Sequence, residues 1–165
     1  MIKIWKNWST VHLRRINQTG DSHVSNHSCY ALKEHRYKIE VNEDINQVII
    51  VNRDGHYIGN IIMSSPIGMF SADDRPHVVF IGSKGKKIGT VYAIDVHTHR
   101  VIKTFQSIGM KHPTGITSYH DVLFVGDQTR NAVIAFNITT SRVIKMVIPS
   151  SKIKGDIEQL AISQC

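Results

Sequence analysis

Histidine is the chain's most plentiful ligand-type residue, present ten times, and His97 and His99 form an H-x-H pair. On an extended segment both imidazoles would project to one side, an arrangement that suits a divalent transition metal. His120 stands beside Asp121, and the densest cationic run is Lys84-Gly85-Lys86-Lys87. Cys29 and Cys165 sit near opposite ends with no C-x-x-C spacing, so both are expected to be ordinary thiols. No G-x-S-x-G elbow, Walker loop, dinucleotide fingerprint or H-E-x-x-H occurs. The chemistry on offer is therefore cation and imidazole chemistry, and its meaning depends on where the chain places these side chains.

That placement follows from composition and repeats. The 165 residues carry 41% apolar and 20% charged residues and a net charge of +7, which fits one folded domain. Ile and Val number 24 and 15 against 4 Leu and 6 Ala, an excess of stiff β-branched side chains that favours strands. An all-β fold is expected.

Val91 to Phe105 laid on Val133 to Val147 matches at 7 of 15 positions, Arg-Val-Ile-Lys included. Val78 to Gly82 lies on Val122 to Gly126, and Ser65-Pro66-Ile67-Gly68-Met69 on His112-Pro113-Thr114-Gly115-Ile116. Each copy reads as four short strands: A at the Pro-x-Gly, B ending at the Gly, C an apolar run, and D holding Arg-Val-Ile-Lys. A weaker copy precedes them, with Tyr37 to Val41 as B, Val48 to Asn52 as C and Tyr57 to Ile61 as D. Its C-to-D turn is Asn52-Arg53-Asp54-Gly55, with Gly supplying the positive φ. Ile157 to Ile162 has the pattern of a further A strand. Copy one carries extra residues around Asp73-Asp74-Arg75 and around Lys84 to Lys87, both expected to be exposed.

Four strands recurring about every 42 residues are the pattern of β-propeller blades. Pro113-Thr114-Gly115-Ile116, then Val125-Gly126-Asp127-Gln128-Thr129-Arg130-Asn131-Ala132 and the apolar strand to Phe136, then Arg142-Val143-Ile144, resemble an NHL-type propeller blade. The resemblance covers about residues 37 to 165. It departs from the NHL pattern at Arg130 and Ala132, and in Ser83, which stands where the other copy has Asp127. It implies blades over about 29–63, 64–110 and 111–155, with the first strand of another over 156–165, as part of an incomplete ring from a six-bladed parent. Residues 1–28 read as an extension or divergent strand. Strand A at Leu160 to Ile162 needs an edge partner, and Ile2 to Trp5 or Thr10 to Leu13 could supply it; self-association through open blade edges is the alternative.

Propeller ligands meet the face built by the D-to-A and B-to-C loops. These loops supply Lys84, Lys86, Lys87, Lys111, His112, Asp127 and Arg130 as candidate binding residues, against the bland alternative of a solvated surface with Asp127 in an Asx turn. The H-x-H pair falls in the opposite, C-to-D, turns, so no metal and no cofactor is expected. The leading function is a non-catalytic module presenting loops to a protein, peptide or glycan partner. The alternatives are a metal-assisted lyase or lactonase fragment, for which His112, Asp127 and Asp156 are the visible ligands, and an RNA-binding NHL propeller, which the 12 aromatic residues favour less.

No window approaches a membrane-spanning helix, and Met1 to Arg15 shows no leader, which reads as a cytoplasmic chain. Against that stand four N-x-[ST] sequons, at Asn7, Asn17, Asn26 and Asn137, an excess that points to secretion unless the Asn serve turns. Finally, Gly115→Val is expected to destabilise more than Gly109→Val, because Gly115 opens an inner strand.

Overall fold

A computed structural model describes residues 2–5, 27–31, 37–52, 54–72, 74–149, 151, 157 and 159–162. Among them there is no α-helix, and fourteen strands account for the regular structure. Three antiparallel sheets follow one another along the chain. The first joins β2 (His27–Ala31), β3 (Tyr37–Asn42), β4 (Gln47–Asn52) and β5 (Tyr57–Ile62). The second joins β6 (Pro66–Ser71), β7 (Val78–Ser83), β8 (Thr90–Asp95) and β9 (Arg100–Phe105). The third joins β10 (Pro113–Tyr119), β11 (Val122–Asp127), β12 (Ala132–Asn137) and β13 (Val143–Ile148). Each runs in sequence order, A to D, so every connection is a hairpin. These are β-propeller blades, packed side by side without closing a ring.

The expected A strands do open at Pro66 and Pro113, where a missing N–H suits a strand's first position. Each carries a bulge before its glycine. The B strands run one residue beyond the expected Gly, to Ser83 and Asp127. That extra residue proves important at the site.

Burial explains the apolar runs. Strands β7, β8, β11 and β12 are covered on both faces because each blade lies between two neighbours, whereas the D strands β5, β9 and β13 are largely exposed. Ile39, Val41, Val48, Met69, Val79 and Ile81 fill the seam between the first two blades. The seam between the second and third holds Phe80, Phe105, Leu123, Val125, Ile134 and Phe136. There Phe80, Phe105 and Phe136 form an edge-to-face chain with centroids 6.0 and 5.9 Å apart, each contact adding about 1 kcal/mol beyond the area it buries.

Close approach of blades requires glycine at several points: a Cβ on Gly68 would collide with the Thr114 carbonyl oxygen. A Cβ on Gly82 would collide with the Pro113 carbonyl oxygen, and one on the equivalent Gly126 with the Ile157 side chain. The comparison of Gly115 with Gly109 is not a clean test of crowding: Gly109 has φ +81, so a β-branched residue is strained there as well.

Two polar ties reinforce the second seam. Arg75, in the A-to-B insertion of the second blade, donates to His120 O at 3.1 Å and pairs with Asp121 at 2.7 Å, so the insertion is partly packed rather than simply exposed. Lys103, from the first Arg-Val-Ile-Lys, donates from Nζ to Ile138 O at 2.9 Å and Thr139 O at 2.5 Å in the next blade's C-to-D hairpin. Lys145 holds the same place in the second Arg-Val-Ile-Lys, and among the described residues it has no such acceptor. Lys103→Met is accordingly expected to lower stability by about 1.5 kcal/mol, and Lys145→Met by less than about 0.5 kcal/mol. Urea unfolding of the two variants side by side measures the difference.

Strand β1 (Ile2–Trp5) pairs antiparallel with β14 (Gln159–Ile162), from Ile2 opposite Ile162 to Trp5 opposite Gln159. The N-terminal alternation thus supplies the edge expected of it. The other proposed supplier, Thr10 to Leu13, lies outside the described residues. Strand β14 lies beside β10, and Thr114 donates from Oγ1 to Ile157 O at 2.5 Å.

Candidate functional site

Three loops meet on one rim: residues 84–89 between β7 and β8, residues 106–112 between β9 and β10, and residues 128–131 between β11 and β12. Backbone hydrogen bonds lock them together. Lys84 N donates to Ser65 O at 2.9 Å, Gly85 N to Lys111 O at 3.0 Å, Gly89 N to Met110 O at 2.6 Å, and Gln128 N to His112 O at 2.9 Å. The lysine-bearing insertion is therefore bonded at both of its ends to the linker between blades. Lys84, Lys86, Lys87 and Lys111 are exposed on this framework.

Asp127 is completely buried. Its Oδ1 accepts from Lys111 N at 3.1 Å and His112 N at 2.6 Å, and its Oδ2 from Arg130 N at 3.1 Å. Both oxygens are occupied in holding the linker to the loop. The equivalent Ser83 serves the corresponding linker between the first and second blades with opposite polarity, donating from Oγ to Ser64 O. Asn42, at the same strand end in the first blade, accepts from Ile45 N at 3.2 Å, as Asp127 does from the residue three ahead. The exchange of Asp127 for Ser83 between the blades is thus a change of capping chemistry at one position.

Arg130 is similarly engaged. Its Nη1 donates to Ile108 O at 2.7 Å, and its stem lies beside Gly109. His112 is half-buried between the loops; burial first and then Lys84 hold its imidazole below the ordinary histidine range, while Glu43 and Asp127 oppose them. The rim's charge changes along its length, because the corresponding loop of the first blade carries Glu43 and Asp44 where the second carries lysines. The seven candidate residues thus share one region but divide in role. Four lysines face solvent, whereas Asp127 and Arg130 hold the framework. Asp156 lies outside the described residues.

The opposite face holds the histidine pair. Residue 99 is in the left-handed region, φ 55, so the H-x-H segment turns instead of extending. His97 Nε2 lies 2.7 Å from His77 Nδ1, whereas His99 rests on Gly59 of the first blade. The two imidazoles diverge. Among the described residues no three His, Cys, Asp or Glu side chains gather around a metal position.

The hairpins on this face share one cap. Asn52, Asp95 and Asn137 end strand C in the three blades. Asn52 accepts from His56 N at 2.8 Å, Asp95 from Thr98 N at 2.8 Å, and Asn137 from Thr140 N at 2.7 Å. The sequon asparagine Asn137 thus serves a turn; Asn7, Asn17 and Asn26 lie outside the described residues. The Thr98 backbone N–H, with smaller help from the Thr98 hydroxyl and His97, holds the Asp95 carboxyl below the usual carboxylate range. A carboxylate whose folded pKa is depressed adds stability above its unfolded pKa and loses it as pH falls through the folded value. Asp95→Asn, which copies the other two blades, is expected to leave stability near neutral pH almost unchanged and to flatten its decline below pH ~4. Thermal unfolding followed from neutral to acidic pH checks this.

Sequence reasoning gave the Asx turn at Asp127 as an alternative, but missed the ties made by Arg75 and Lys103 and the equivalent strand-end roles of Asn42 and Ser83. The repeated Arg-Val-Ile-Lys was the available signal for Lys103.

No family model matches this chain, and no curated protein matches it. Solved structures do. It is similar to apo AztD from Citrobacter koseri (TM-score 0.64, 13% identity, 80% of this chain and 36% of that one). It is similar to the RRP9 WD40 repeats (TM-score 0.63, 12% identity, 78% and 40%) and to a protein from Bacteroides caccae (TM-score 0.62, 8% identity, 80% and 52%). The likeness is one of fold, that of the β-propeller. The chain spans between about a third and a half of the length of these structures.

Proposed function

We propose that this chain is a non-catalytic binding module built from propeller blades of NHL type, which presents the rim of Lys84, Lys86, Lys87 and Lys111 to a protein or peptide partner. The observation that carries the reading is the backbone bonding of the 84–89 loop to Met110 and Lys111, which fixes exposed cations in place before any partner arrives. A preorganised loop loses less conformational freedom on binding. Asp127 and Arg130 support a binding role over a catalytic one, since their polar atoms are engaged in holding the loops. The NHL character is supported by Pro113-Thr114-Gly115, by Asp127 and by the apolar run to Phe136 in β12.

Panning a displayed random-peptide library on the chain tests the proposal. Enriched peptides are expected to bind wild type and Thr139→Glu, on the opposite face, but to lose binding to Lys84→Glu/Lys87→Glu. Equal binding to both variants would overturn it.

A further inference from the structure

Resting on that reading, we infer that the rim's partner is an acidic polypeptide segment carrying aliphatic side chains. Charge and apolar exposure coincide here. Ile108 is 92% exposed and Ile88 39% exposed, one on each side of the bonded pair Gly89 and Met110, so that they interrupt the lysine rim at its most firmly tied point. An isoleucine left in water at the tip of a hydrogen-bonded turn contributes no core packing, whereas covering it with another aliphatic group is favourable. Ile108 is held there by Arg130, which binds its carbonyl oxygen and so fixes the turn from below. The four lysines around the two isoleucines make no ion pair among the described residues and are complementary to carboxylates.

The same surface suits nucleic acid less well. Single strands are held by stacking on aromatic or arginine planes. Among the described residues the exposed aromatic side chains Tyr57 and Tyr119 lie at the other loop ends, and the rim's Arg130 is engaged with the backbone. Glu43 and Asp44 at the first-blade end would repel a continuous phosphate chain while accepting a peptide whose negative charge stops short of them.

Fluorescence anisotropy with defined probes tests the inference: a labelled peptide alternating Glu and Leu, its Leu→Ser counterpart, a neutral Gln and Leu peptide, and a single-stranded RNA. The Glu and Leu peptide is expected to bind best, to weaken roughly tenfold with Lys86→Glu/Lys87→Glu, and to weaken about threefold with Ile108→Ser or on loss of its leucines. Lys145→Glu, on an outer strand, should leave its affinity unchanged. Tighter binding of the RNA, or indifference of the acidic peptide to the lysine variants, overturns the inference. If the neutral peptide binds as well as the acidic one and still depends on Ile108, the acidic preference fails while the rim remains a binding surface. If no peptide binds and no rim substitution matters, both readings fail.

Discussion

Asp127→Ala is expected to lower the unfolding free energy by about 4 kcal/mol, a shift of about 10 °C in the thermal midpoint for a chain of this length. The carboxylate is completely buried and accepts three backbone N–H groups. Alanine leaves all three donors without their acceptor in a space between strand ends and linker, and each orphaned buried donor costs about 1–3 kcal/mol. Asp127→Asn should fall between, since an amide can keep the Oδ1 contacts but turns an NH₂ toward Arg130 N. Ser83→Ala removes a single donor facing the Ser64 carbonyl and should lose only about 1 kcal/mol. Urea denaturation of the three variants gives the ranking. If Asp127→Ala unfolds at the same concentration as Ser83→Ala, the carboxylate does not hold the linker as described.

The second large effect is steric. Gly82→Ala places a methyl group against the Pro113 carbonyl oxygen, a backbone atom that cannot rotate away, so the second and third blades must separate. Overpacking of a tight seam costs about 1–3 kcal/mol and sometimes more, and here the displaced seam includes the Phe80, Phe105 and Phe136 chain. We expect a loss of at least about 3 kcal/mol. Gly55→Ala is the control: it meets open space and suffers only from φ +87, worth about 1 kcal/mol. Calorimetry in which Gly82→Ala melts no lower than Gly55→Ala would falsify the close approach of these blades.

Much of this architecture was legible because repeated segments fold alike. The match of Val91 to Phe105 with Val133 to Val147 located β8, β9, β12 and β13, and the Pro-x-Gly pairs located β6 and β10. The positive φ at Gly55 followed from Asn-Arg-Asp-Gly alone. What stayed hidden depends on neighbours in space. Lys103 reads as one more exposed lysine on an outer strand until the next blade's hairpin is placed beneath it. Ser83 reads as a departure from Asp127 because residue identity does not reveal that a hydroxyl donating to a carbonyl can do what a carboxylate accepting from amides does. The repeat places His97 and His99 in a hairpin turn, but the left-handed conformation of residue 99 and the approach of His97 to His77 depend on local geometry and a neighbouring turn. The rim lysines were legible as charge, whereas their rigidity was not, since the bonds that tie Gly85 and Gly89 to Met110 and Lys111 join loops far from any recognisable pattern.

The ladder between β1 and β14 differs in kind from every other pairing in the molecule. All twelve remaining strands find their partners through hairpins, so each blade can assemble from contacts local in sequence, which makes for rapid folding. Trp5 and Gln159, by contrast, must meet across nearly the whole chain. The entropy of closing so long a loop falls on a ladder of four residue pairs unless the intervening blades have already drawn its ends together. Order of assembly is thereby imposed: blades first, end-to-end ladder last. By the same reasoning the ladder opens first on unfolding, and the amides of Ile2 to Trp5 should exchange with solvent long before those of β8 and β12.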